Sequence, residues 1–115
     1  AIVDGVSFCP HGLPDIESLG ADIYLFSLYK VYGPHLGVMY VRRDFADELP
    51  HQGHFFNAAR AEQRFTAAGA DHAQVASVNG VVDYLESVAG RHEFGDEPTA
   101  TRASAVRTLF REVRS

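Results

Sequence analysis

A chain of 115 residues, 46% of them hydrophobic, can enclose one core and has little room for a second. Its net charge of -5 and its scattered arginines argue against nucleic acid as a partner, because phosphate backbones are gripped by gathered Lys and Arg. No apolar run approaches the roughly 20 residues that cross a bilayer, so no membrane partner is expected, and a lone cysteine, Cys9, excludes an internal disulfide framework and points to the cytoplasm.

Residues 1–4 read as the end of a buried strand, and an opening inside a strand without methionine suggests a piece of a larger protein. Leu13 to Leu19 predicts a short helix, with Pro14 near its first position and Gly20 just beyond its end. Ile23 to Leu28 predicts a second strand. Strand, helix, strand makes a βαβ unit whose strands run parallel in one sheet with a right-handed crossover. Both carboxyl ends then share one edge. That edge carries Asp4 from the first strand and Ser27, Tyr29 and Lys30 from the second, and open α/β sheets bind ligands outside it.

Val38 to Val41, joined by a short glycine-containing turn, predicts an antiparallel strand. Asp44 to Leu49 predicts a single helical turn capped by Asp44 and stopped by Pro50. Residues 51–68 gather aromatics and histidines without a period and are expected to be irregular, with one short strand over Gln63 to Ala67. Asp71 to Ala89 is the clearest helix: Asp71 and Gln74 form a capping pair, and Val75, Val78, Val82, Leu85 and Ala89 draw one apolar stripe meant for a sheet face. Gly90 to Pro98 reads as a polar linker, and Thr99 to Val113 as a last helix through Val106, Leu109, Phe110 and Val113.

Lys30 is the sole lysine. It ends an apolar run and precedes Gly33-Pro34, where an amine nucleophile would sit; a lysine amine forms a Schiff base with an aldehyde. On spacing alone an ordinary surface lysine is the commoner outcome. Six histidines, among them His51 and His54, lack the Cys or carboxylate frame of a zinc site, so no metal is expected. His11 and His35 are expected to line a turn or a cleft, Tyr32 reads as a structural aromatic or, from its place beside the lysine, as a site candidate, and Arg42 and Arg43 read as a solvated strand end.

Val3-Asp4-Gly5 and Phe26-Ser27-Leu28-Tyr29-Lys30-Val31-Tyr32-Gly33-Pro34-His35-Leu36-Gly37 resemble the class V aminotransferase and cysteine desulfurase-like family, fold type I enzymes that depend on pyridoxal phosphate. The resemblance runs to about Leu85 and includes Asp15 and Gly20-Ala21-Asp22; Asp4 precedes Lys30 by 26 positions, the interval that the family keeps. It implies a three-layer α/β/α domain with a mainly parallel sheet. Residues 1–97 would be the C-terminal half of the cofactor-binding large domain, and 98–115 a linker and the first helix of a truncated small domain.

The same resemblance implies Lys30 as the Schiff-base lysine and proton shuttle, Asp4 as partner of the pyridinium nitrogen, and Ser27 and Tyr29 as phosphate ligands. Ser7 falls where relatives place a Gln or His near the cofactor's phenolic oxygen. Ala70 follows Gly69 where many relatives carry a threonine that reaches the partner subunit's phosphate, and Cys9 is not the counterpart of a desulfurase's catalytic cysteine. The implied activity is lyase or transferase chemistry on a small-molecule amino-acid substrate in a homodimer. Two other readings stand beside it: a non-catalytic fragment of such an enzyme, inactive alone, and an unrelated small α/β binding domain.

Overall fold

The computed structural model describes residues 1–66, 69–91 and 101–114. Three strands, β1 (Ile2–Asp4), β2 (Ile23–Ser27) and β3 (Gly37–Val41), form one sheet in the order β1-β2-β3. β1 and β2 are parallel, with Val3 opposite Tyr24 and Asp4 opposite Leu25. β2 and β3 are antiparallel, with Tyr24 opposite Tyr40 and Ser27 opposite Gly37. The expected antiparallel return is present, since a parallel one needs a long crossover. The described part of the sheet is therefore mixed, with one ladder of each kind, rather than mainly parallel.

Between β1 and β2, helix α1 (Ile16–Leu19) is shorter than Leu13 to Leu19. Asp15, not Pro14, sets its start, because the Asp15 carboxylate accepts the Ser18 N–H at 3.2 Å. Gly20 closes it in the left-handed conformation at φ 62°.

Helix α2 (Arg43–Glu48) begins one residue before the expected cap. Asp44 lies inside it, its carboxylate occupied by the Arg42 guanidinium and the Phe45 N–H. Arg42 also pairs with Asp22, which precedes β2, so it clamps the end of β3 to the start of β2 instead of standing free in water.

No strand forms over Gln63 to Thr66, and Ala67 lies outside the described residues. Its place is taken by 3-10 turns at Phe55–Asn57 and Ala61–Gln63, whose backbone bonds are local, such as Thr66 N–H to the Gln63 carbonyl. The Arg64 guanidinium, donating to the Leu49 carbonyl at 2.7 Å, ties this segment to the end of α2.

Helix α3 (His72–Ala89) starts at the predicted cap, where the Asp71 carboxylate accepts the N–H groups of Ala73 and Gln74 at 3.0 and 3.1 Å. Of its expected stripe, Val78, Leu85 and Ala89 pack into the core, whereas Val75 and Val82 stay 47% and 46% exposed and Val81 is buried instead. Helix α4 (Arg102–Arg114) packs on α3 through Val106 and Leu109 against Ala89. The predicted linker from residue 92 onward, its domain boundary and Thr99 lie outside the described residues.

Among the described residues two apolar clusters form the core. Cys9, Leu28, Val31 and Val81 gather Phe26, Val38 and Leu85 around them; Ala89, Val106 and Leu109 gather Leu13, Leu85 and Phe110. Leu85 belongs to both, so α3 joins the sheet to α4. Among the described residues no helix is long and apolar enough to cross a membrane.

Candidate functional site

The parallel pairing of β1 with β2 brings their carboxyl ends, Asp4 and Ser27, to one edge of the sheet. Asp4 pairs with Leu25, and Ser27 follows Leu25 by two, so side-chain alternation puts Asp4 and Ser27 on the same face as well. Beyond Ser27 the chain tightens at once into a 3-10 turn, Leu28–Val31, which carries Tyr29 and Lys30. Leu28 and Val31 are buried in the core while Tyr29 and Lys30 are exposed, so the turn is anchored by its first and last residues and presents the two between them.

The turn is closed tightly. The N–H groups of Tyr32 and Gly33 both donate to the Leu28 carbonyl, the latter at 2.8 Å, and the Leu28 N–H donates to the Leu36 carbonyl at 2.9 Å. Gly33 is required by a close approach: a Cβ there would meet Leu28 Cβ at 2.8 Å and Val81 Cγ2 at 3.1 Å. Lys30 Nζ lies 5.2 Å from the centre of the Tyr29 ring, within range of a cation–π attraction. Tyr29 in turn stacks on His35, with ring centres 4.9 Å apart and planes 14° from parallel.

Asp4 is exposed, and one of its carboxylate oxygens accepts the Val6 N–H at 2.9 Å. That bond steadies the carboxylate at the strand end. The following Gly5 lies against the Tyr24 phenol, and any Cβ at position 5 would land on that ring. Burial, then the Cys9 thiol and the Asp4 carboxylate, hold the Tyr24 phenol above its ordinary value, so it stays protonated beneath Gly5. Burial likewise raises the Cys9 thiol, an inert core residue in this setting. Ser7 is exposed on the loop after β1, whose first bonds are Phe8 and Cys9 N–H groups donating to the Gly5 carbonyl.

Asp4, Ser27, Tyr29 and Lys30 thus arise at one edge, and Ser7 follows from the loop beside it. Sequence reasoning did not identify the Tyr24 ring beneath Gly5 or the stacking of His35 on Tyr29. No local signal marks the first, which depends on the register of β1 against β2. The second had a trace in the five positions that separate Tyr29 from His35 across a Gly-Pro turn.

A cavity of about 230 Å³ lies behind this edge, lined by Cys9, Tyr24, Leu28, Val31, Val81 and Phe110 among others. Its lining offers almost no polar surface, so a charged ligand finds its partners at the strand ends and not here. Among the described residues no three His, Cys, Asp or Glu gather to hold a metal ion.

A family model described as aminotransferase class-V matches residues 1–109. An aminotransferase-like protein of Gibberella zeae is 51% identical over 55 residues, which are 48% of this chain and 14% of that protein. A cysteine desulfurase-like protein of Aspergillus flavus is 34% identical over 91 residues, 77% of this chain and 21% of its own length. A cysteine desulfurase of Salmonella choleraesuis is 29% identical over 110 residues, 83% of this chain and 26% of its own. The chain therefore spans between 14% and 26% of these curated relatives. No solved structure gives a significant match.

Proposed function

The chain belongs to the aminotransferase class-V family, and from that premise we propose that it forms part of a pyridoxal phosphate-dependent enzyme acting on amino acids, a cysteine desulfurase-like lyase or an aminotransferase. The observation that carries this reading is the convergence of Asp4, Ser27 and the Lys30 turn at the carboxyl edge of two adjacent parallel strands. The donor set fits the cofactor chemically: a carboxylate for a pyridinium nitrogen, a primary amine for an aldehyde, and hydroxyls for a phosphate.

When bound, pyridoxal phosphate supplies an electron-withdrawing ring that stabilises negative charge at the α-carbon of a joined amino acid. Asp4, whose carboxylate is steadied by the Val6 N–H, would pair with the ring nitrogen and favour its protonated form. Lys30 would hold the cofactor through its primary amine and, as an amine at the strand edge, would serve as the base for a substrate α-proton. Ser27 and Tyr29 hold the phosphate, and His35, stacked on Tyr29, fixes that ring's plane. Ser7, on the loop after β1, would face the cofactor's phenolic oxygen with a side chain shorter than the Gln or His of relatives.

In the same reading the mixed sheet is part of a three-layer α/β/α domain covering residues 1–97, and residues 98–115 lead into a small domain. A homodimer completes the site, and the enzyme works in the cytoplasm, an address in keeping with the free Cys9 thiol. Because the chain covers so little of its relatives, the 115 residues alone are read as inactive.

The test uses the complete protein with added pyridoxal phosphate. Wild type should develop the visible absorbance of lysine-bound cofactor, Lys30→Ala should lose it, and Asp4→Ala should keep binding while turnover falls by about 100-fold or more. Visible absorbance that persists unchanged in Lys30→Ala contradicts the assignment.

A further inference from the structure

We propose that Tyr32 and Tyr84 are positioning residues whose ring contact pins the Lys30 turn against α3. Tyr32 is the one non-glycine residue with positive φ among the described residues, at 69°. That conformation is unfavourable for a bulky L residue and free for glycine, so something must hold an aromatic side chain there. The backbone uses the conformation to close the turn, through the Tyr32 and Gly33 N–H groups on the Leu28 carbonyl.

Tyr32 is 76% exposed as a residue, so burial does not hold it. Instead it meets Tyr84 of α3 edge to face, with ring centres 5.3 Å apart and planes at 63°. One residue on, Gly33 admits Val81 of the same helix so closely that a Cβ would touch it at 3.1 Å. Val81 and Tyr84 are three apart and share a helix face, so α3 grips the turn at two neighbouring points. Lys30 stands two residues before Tyr32 on the backbone that this grip immobilises. The position of its amine is thereby referred to α3.

This inference rests on the reading of Lys30 as the cofactor-bearing lysine, and the test separates the two. In the complete protein without cofactor, amide hydrogen exchange is compared for wild type, Tyr84→Ala, Tyr84→Phe and Tyr32→Gly. Cofactor affinity and the pH midpoint of the bound cofactor's visible band are then measured with pyridoxal phosphate.

Tyr84→Ala and Tyr32→Gly should speed exchange of the Tyr32 and Gly33 amides, leave those of β2 unchanged, weaken pyridoxal phosphate binding about fivefold, the size of one aromatic pair, and shift the pH midpoint. Tyr84→Phe, which keeps the ring edge, should restore all three. Wild-type exchange and affinity in Tyr84→Ala overturn the proposal. If wild type takes up no pyridoxal phosphate, the cofactor reading fails, and the exchange comparison alone decides: faster exchange at Tyr32 and Gly33 sustains the pinning role, and unchanged exchange overturns it.

Discussion

The two faces of the sheet are alike in composition and unlike in cover. On one, Phe26 and Val38 pack into the cluster around Val81 of α3 and Tyr24 keeps 2% of its surface, with Tyr40 on the outer strand β3 exposed, at 36%; on the other, Ile2 keeps 70% and Met39 42%. Strands wetted on one side alternate apolar and polar residues, whereas strands covered on both sides are apolar throughout. Here the wetter face also carries Ile23, Leu25 and Val41, which is the pattern of two-sided burial. Its polar exceptions, Asp4 and Ser27, both stand at the carboxyl edge. The face that is least covered is thus the one whose polar groups gather where the site is proposed.

The largest effects should fall on the covered face. Tyr24→Ala is expected to cost about 3–5 kcal/mol in urea unfolding, the usual range for deleting a buried aromatic ring. Met39→Ala, its counterpart on the wetter face, should cost under about 1 kcal/mol in the 115 residues alone, and about 2–4 kcal/mol in the complete protein, where a second layer would bury it. Equal costs in both contexts would break the comparison and leave the three-layer reading without support. Gly5→Ala comes next: its new Cβ would press on the immobile Tyr24 ring, and a loss of roughly 2 kcal/mol is expected.

The smallest effect is electrostatic. The backbone N–H of Gln74, followed by its side chain, holds the Asp71 carboxylate below its ordinary 3.8. A carboxylate with a lowered folded-state pKa adds stability that is present above the unfolded value and lost as pH falls through the folded one. Stability should therefore decline below about pH 4, and Asp71→Asn, which keeps a cap, should make that acid limb shallower in pH-dependent thermal melts. The group is fully exposed, so added salt should reduce the difference.

Much of this organisation was legible in the residues. The order of β1, β2 and β3, the cap at Asp71 and the gathering of Asp4 with the Lys30 turn follow from apolar periods, turn residues and the rules of βαβ connection. What escaped depends on tertiary context. Val81, not Val82, faces the core because α3 settles against Gly33, a choice that a three-four period leaves open. Gln63 to Thr66 turns instead of pairing: the N–H groups of Gln63, Arg64 and Thr66 donate to carbonyls three residues back, and the Arg64 carbonyl accepts the single N–H of Gln52. Asp44 misses the cap position because Arg42 draws its carboxylate away. The Tyr24 ring beneath Gly5 requires the register of two strands, which no local pattern encodes.

The central claim is tested most directly by borohydride reduction of the complete protein with pyridoxal phosphate, followed by peptide mass mapping. The account predicts a pyridoxyl mass on the peptide that contains Lys30 and its disappearance in Lys30→Ala. A pyridoxyl group fixed on a different residue, with the peptide around Lys30 unmodified, would contradict it.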